Sequence, residues 1–257
     1  MFQSRSGFLN SIPPVTKNLI IINLLIWFAS YSNVLPIDLN RYLGLHYFTS
    51  EAFNPIQLVS YMFMHGSFSH VFFNMFAVFM FGRTLEMIWG QKRYLIFYFV
   101  TGIGAALIQE LVCGIRIYQI TAQLPPEAVE LVKNEGLSIL SQGKNYTDSL
   151  MGNLNLSINT PTVGASGAVF GILLAFGMLF PNAPLYLMFI PIPIKAKYFV
   201  VLYGFAELFL GVANYSGDNI AHFAHLGGML FGFFMIRYWR KKDINDRDLN
   251  NNGGFFR

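Results

Sequence analysis

The strongest constraint on this chain is the spacing of its apolar runs. Six stretches, at about Leu19 to Val34, Gln57 to Phe81, Tyr94 to Ile117, Ala165 to Phe180, Tyr198 to Val212 and Ile220 to Tyr238, carry at most two charges each. Each is near the ~20 residues that a helix needs to cross a hydrocarbon core. The composition agrees: of 257 residues 54% are hydrophobic and 12% charged, against about 25% charged in soluble domains. The mean hydropathy is +0.47. The expected fold is therefore an all-α membrane protein of six transmembrane helices. No small-residue cleavage site follows the first run, which is read as a retained span and not a signal peptide.

Charge orients the spans. With the N-terminus inside, 13 of the 17 Lys and Arg residues fall on inner segments, and only Arg41, Arg116, Lys133 and Lys144 fall outside. The positive-inside rule then puts both termini in the cytoplasm. The net charge of +4 needs no nucleic acid partner. Arg237, Arg240, Lys241 and Lys242 form a juxtamembrane cluster suited to anionic lipid headgroups.

This divides the chain into a cytoplasmic N-terminus (1–18), a six-helix domain (19–238) and a tail (239–257) whose polar composition predicts disorder. Residues 35–55 form an outer loop lying in the interface. An extramembrane insertion covers about 118–163, where Pro125, Pro126 and Glu127 mark a helix start. The sequons at Asn145 and Asn214 are common by chance and carry little weight. Cys113 is the single cysteine, so neither an intramolecular disulfide nor a cysteine-based metal site is possible. The lysines of "PIPIKAKY" read as boundary anchors.

Three polar clusters sit at membrane depth, where an unpartnered group is costly. "YMFMHGSFSHVFFNMF" places His65, His70 and Asn74 at the outer end of span two, with His70 and Asn74 four apart on one helix face. Ser166 lies at the outer end of span four, and His222 and His225 at that of span six. Four of the five histidines thus share one depth. Gly167 and Gly171, and likewise Gly228 and Gly232, are spaced i, i+4, a pattern that lets transmembrane helices approach closely. At about 100° per residue His225 lies about 20° from Gly232 and His222 about 80°, so the glycine stripe favours His225 as the residue facing span four. Phe170, one turn after Ser166, is placed to lean on its ring.

Such a convergence suits nucleophilic chemistry. A serine becomes a nucleophile when a neutral histidine takes its proton, and His70, Asn74 and the backbone N–H of Ser166 are candidate donors to an oxyanion. Asp218 lies at the mouth of span six and Glu207 in span five, so no carboxylate is expected beside the histidines and the expected unit is a Ser–His dyad. The alternative for the Gly-x-Ser-Gly run alone is helix packing, and for a buried His or Asn an interhelical hydrogen bond. A transporter relay would want broken helices or an internal repeat, and a zinc peptidase a His-Glu-x-x-His helix; the chain has none of these.

"HGSFSHVFFN", "GASGAVFG" and "AHLGGMLFG", in that order and separated by whole spans, resemble the rhomboid family of intramembrane serine proteases, as does "FGRTLE" after span two. The resemblance covers about Leu19 to Tyr238. It implies a six-helix rhomboid bundle that requires no metal and no cofactor, in which Ser166 is the nucleophile and His225 the general base. His70 and Asn74 then resemble the oxyanion pair and His65 a further histidine near the site. Gly164 and Gly167 match the glycines around the serine, and Gly228 and Gly232 the close-packing glycines. It also implies cleavage of transmembrane protein substrates near the outer end of their helix, with the bilayer as the working medium and a bacterial inner membrane as the location. Two departures stand out. Phe170 replaces a frequent tyrosine, and His222 makes the register of "AHFAH" ambiguous. A catalytically inactive relative that binds membrane clients would usually lack the serine or histidine, and both are here.

Overall fold

The structure is a computed structural model describing residues 11–32, 37–187, 190–213 and 221–252. Asn214 and Asp218 lie outside the described residues. The elements in chain order are α1 (Pro14–Tyr31), α2 (Leu39–Leu43), α3 (Gln57–Ser60), α4 (Phe68–Ala77), α5 (Arg83–Thr121), α6 (Pro126–Ser141), α7 (Ser149–Asn159), α8 (Ser166–Leu179), a hairpin of β1 (Pro184–Leu187) and β2 (Ile190–Lys195), α9 (Ala196–Ala213) and α10 (His222–Asn252). Among the described residues three helical units are long and apolar enough to cross a membrane: Pro14–Tyr31, Phe68–Thr121 and Ala196–Ala213.

The second unit is not one rod. A π-helical turn, Val78–Gly82, joins α4 to α5, and α5 reverses at Gly90, whose φ of 76° and ψ of 166° are non-helical. On a straight helix Gly82 and Tyr94 would stand about 18 Å apart. Instead the Tyr94 hydroxyl lies against Gly82, and the Tyr61 hydroxyl donates to the Gly102 carbonyl at 2.7 Å. Residues 91–121 therefore run back antiparallel to α4, the two separate runs read from the sequence. Only glycine takes such a left-handed φ without strain.

The burial pattern is inverted relative to a soluble protein. Leu25, Phe28, Phe73, Phe205, Phe209 and Phe234 are exposed on the outer helices, whereas α8 is enclosed, with Gly167 to Leu173, Ala175 and Gly177 buried. α8 packs between α5 and α10. A methyl group at 167 would run into Ala105 of α5, and one at 228 into the Gly167 carbonyl oxygen. Of the aromatic stripe on α4, Phe72, Phe73 and Phe76 face outward and Met75 inward.

α1 is held by a carboxylate from another helix. Its N-cap, Pro13, offers no side-chain hydrogen bond. The buried Glu86 of "FGRTLE" takes that role: Oε1 accepts from Val15 N–H at 2.9 Å, and Oε2 accepts from Thr16 N–H and Thr16 Oγ1, both at 2.7 Å. A carboxylate there satisfies orphan donors and meets the positive end of the helix dipole. Glu86→Ala is expected to destabilise the fold by about 3 kcal/mol, since charged hydrogen bonds are lost and buried N–H groups orphaned. Thermal melts in detergent would show it, with Glu86→Gln falling between.

Three features depart from the sequence reading. The all-α expectation misses the β1–β2 hairpin, which pairs Leu185 with Ile194 and Leu187 with Ile190. Its alternating prolines hold "IPIPIK" extended and withhold N–H groups from one edge. The expected disordered tail is helical as far as Asn252, because neither Gly nor Pro interrupts the chain between Phe233 and Asn252. Arg93 also grips its start through a bidentate pair with Asp243, at 2.7 and 3.0 Å. The insertion folds as two helices, α6 starting at the expected Pro126 and α7 unforeseen, around a small core of Ile120, Val132, Leu154 and Ile158.

Candidate active site

Ser166 is the first residue of α8. The first intrahelical bond of that helix is Val169 N–H to Ala165 C=O at 3.0 Å, so the N–H groups of residues 166–168 have no helical acceptor and point out of the N-terminus beside the serine. The strand-like approach to Ser166 is fixed by loop 37–56. Leu45 and Thr162 exchange backbone hydrogen bonds at 2.8 and 2.9 Å, and Gly164 N–H donates to Tyr61 C=O at 2.9 Å. Buried Gln57 knots that loop, donating to the Tyr42 and Ala52 carbonyls and accepting from His46 N–H. His46, the fifth histidine, is buried here, and burial draws its pKa below the usual value.

α10 delivers the histidine. His225 Nε2 lies 2.8 Å from Ser166 Oγ, and Phe170 stacks on the imidazole with centroids 4.2 Å apart and planes 6° apart. The glycines set this distance. Gly228 rests on the Gly167 backbone, closer than any side chain would permit, and Gly232 lies alongside Gly171.

The oxyanion candidates come from α4. Ser67 caps that helix by accepting from His70 N–H at 3.1 Å. Gly164, at φ +130°, leaves room for the His70 ring, because a Cβ there would stand 2.7 Å from His70 Nε2 and 3.5 Å from Ser166 Oγ. His65 meets His70 edge-on at 5.0 Å and is buried. Asn74, one turn beyond His70, is buried with its Nδ2 unbonded among the described residues. Ser166 and His70 are only half-buried, so the serine is reachable from one side.

One expectation fails. The position beside His225 is occupied by a carboxylate: Glu207 Oε2 lies 2.8 Å from His225 Nδ1 and 2.7 Å from His222 Nδ1. Glu207 is on α9, and from the sequence it was placed in span five without a partner. Its signal was there, since an ionisable residue within an apolar helix needs one. What the sequence lacked was the docking of the C-terminal half of α9 against the start of α10. Among the described residues this trio is also the group whose donor atoms, all within 4.8 Å, could hold a metal ion. Two hydrogen bonds to one oxygen account for it without one.

Helices with an apolar exterior, closing around a serine–histidine contact, define a membrane protein with a buried polar centre in its core. The Rhomboid domain model matches residues 52–115 and 136–242, and the chain belongs to the rhomboid family. The gap between the two matched stretches, residues 116–135, falls at the start of the insertion. The chain is similar to rhomboid protein 1, mitochondrial, of Saccharomyces cerevisiae, at 28% identity over 196 residues, 76% of this chain and 44% of that protein. It is also similar to an uncharacterized mitochondrial rhomboid protein of Schizosaccharomyces pombe, at 34% over 91 residues, 33% of this chain and 23% of that one. The chain spans less than half the length of either. The expectation of a bacterial cell membrane is corrected by these relatives, both of which are mitochondrial.

Proposed function

We propose that this chain is a serine endopeptidase that hydrolyses peptide bonds in or near the transmembrane segments of membrane proteins. In this reading six spans cross the membrane, with α5 reversing at Gly90 and both termini on the positively charged side. The two yeast relatives support a mitochondrial membrane as the setting.

The observation that carries the reading is the 2.8 Å contact between Ser166 Oγ and His225 Nε2 inside an apolar bundle. As the serine oxygen attacks a peptide carbonyl, its proton passes to His225 Nε2 and the carbonyl π pair moves onto oxygen. The N–H groups at the start of α8, with His70 and Asn74, are placed to donate to that oxyanion. His225 then gives the proton to the departing amine, and water attacks the acyl-enzyme by the reverse path.

The test is covalent labelling of the detergent-purified protein by a fluorophosphonate, which forms an Oγ–P bond and expels fluoride. Wild type should label and Ser166→Ala should not. A wild type that stays unlabelled beside a reacting serine peptidase would overturn the reading in favour of client binding.

A further inference from the structure

We propose that Glu207 completes a Ser166–His225–Glu207 triad as a positioning residue, with His222 as the strut that holds its carboxylate in place. The proposal rests on the reading of Ser166 and His225 as nucleophile and base.

A neutral imidazole carries one N–H, and only the tautomer with a free lone pair on Nε2 can take the Ser166 proton. A carboxylate accepts and does not donate. With Glu207 Oε2 at 2.8 Å from Nδ1, the proton of neutral His225 is confined to Nδ1 and the Nε2 lone pair faces Ser166 Oγ at 2.8 Å. When the serine proton arrives, the positive charge on the imidazole forms directly beside the carboxylate, which stays ionised throughout. Glu207 thereby acts on tautomer, orientation and charge together.

The surroundings fit this role better than a plain structural contact. Glu207 is 5% exposed, and a lone buried carboxylate is expensive. Both of its hydrogen-bond partners are histidines, and both donate to the same oxygen. The His222 ring stands at 87° to that of His225 with centroids 6.4 Å apart, and so approaches that oxygen from another direction. This also explains two adjacent histidines in "AHFAH": His225 reaches the serine, and His222 reaches the group behind it. Tyr203, one turn before Glu207 on α9, packs on Phe170 at 4.9 Å, and Phe170 covers the His225 face. α9 thus braces the imidazole at its edge through Glu207 and at its face through Tyr203 and Phe170.

The measurement is the saturation kinetics of fluorophosphonate labelling, read with the melting temperature. Glu207→Gln keeps the shape but loses the charge and the obligate acceptor. It should lower the limiting labelling rate about 100-fold, within the ~10⁴-fold that a wrong tautomer costs a serine triad, with the half-saturating probe concentration and melting temperature unchanged. Glu207→Asp should recover at least about tenfold of that loss, and His222→Gln, which weakens one hydrogen bond to the carboxylate, should slow labelling by about three- to tenfold. A packing role predicts the reverse order, with the isosteric Gln tolerated and the shorter Asp damaging, and that result would overturn the proposal. So would wild-type labelling that collapses on chelation, which would make the trio a metal site. Labelling by wild type with no effect of Glu207→Gln defeats the triad alone; a wild type that never labels defeats the serine–histidine reading and the triad with it.

Discussion

Replacing His225 by alanine is expected to lower proteolytic turnover by about 10²- to 10⁴-fold while the bundle stays folded, the range that a positioned general base contributes. The ring touches Ser166, Glu207 and Phe170, so its removal leaves the nucleophile without a proton acceptor at 2.8 Å. The informative comparison is with Ser166→Ala and the double variant, by cleavage of a transmembrane reporter in vesicles. Groups that act as one unit are grossly non-additive, so the double variant should be no slower than either single one. Multiplying effects would mean that the two residues serve separate steps.

Gly228→Ala is the second large effect, and it acts through geometry alone. The added methyl would overlap the Gly167 carbonyl oxygen, a backbone atom that cannot swing aside. Overpacking of this kind costs about 1–3 kcal/mol, and relief requires α10 to withdraw from α8. His225 is one turn from Gly228 and withdraws with it. Misplacement by 1 Å can cost about 10²-fold in rate. The melting temperature should therefore fall modestly, while fluorophosphonate labelling of Ser166 falls about 100-fold. Unchanged labelling would show that α8 and α10 can separate without disturbing the site.

Much of this was legible in the sequence because membrane helices announce themselves by length and hydropathy, and because helical phase is simple arithmetic. Gly167, Gly171, Gly228 and Gly232 specify which faces of α8 and α10 meet, and that alone selects His225 over His222. Phe170 stacks on the ring as its spacing from Ser166 implies. Glu207 was hidden for the complementary reason. Gly204 and Gly211, three residues before it and four after, do face Met229, Phe223 and His222 of α10, but two glycines seven apart do not form the i, i+4 stripe that singles out a helix face, and the contact depends on how the two helix ends converge. Periodicity within one helix carries no information about that. The α7 helix and the β1–β2 hairpin were missed because short elements at chain turns lack enough periods to register.

The length of α8 has a consequence for water. At 14 residues it is about 21 Å long, well short of a hydrocarbon core of ~30 Å. With its far end at the inner boundary, Ser166 lies several ångströms below the outer one. In the proposed hydrolysis each turnover would consume one water molecule to release the acyl group, and lipid supplies none. The half-buried His70 and Ser166, with Asn74 and His65 behind them, are the wettable surface at that depth. The histidines of α4 would then have an errand besides the oxyanion: keeping a short column of solvent open down to the serine.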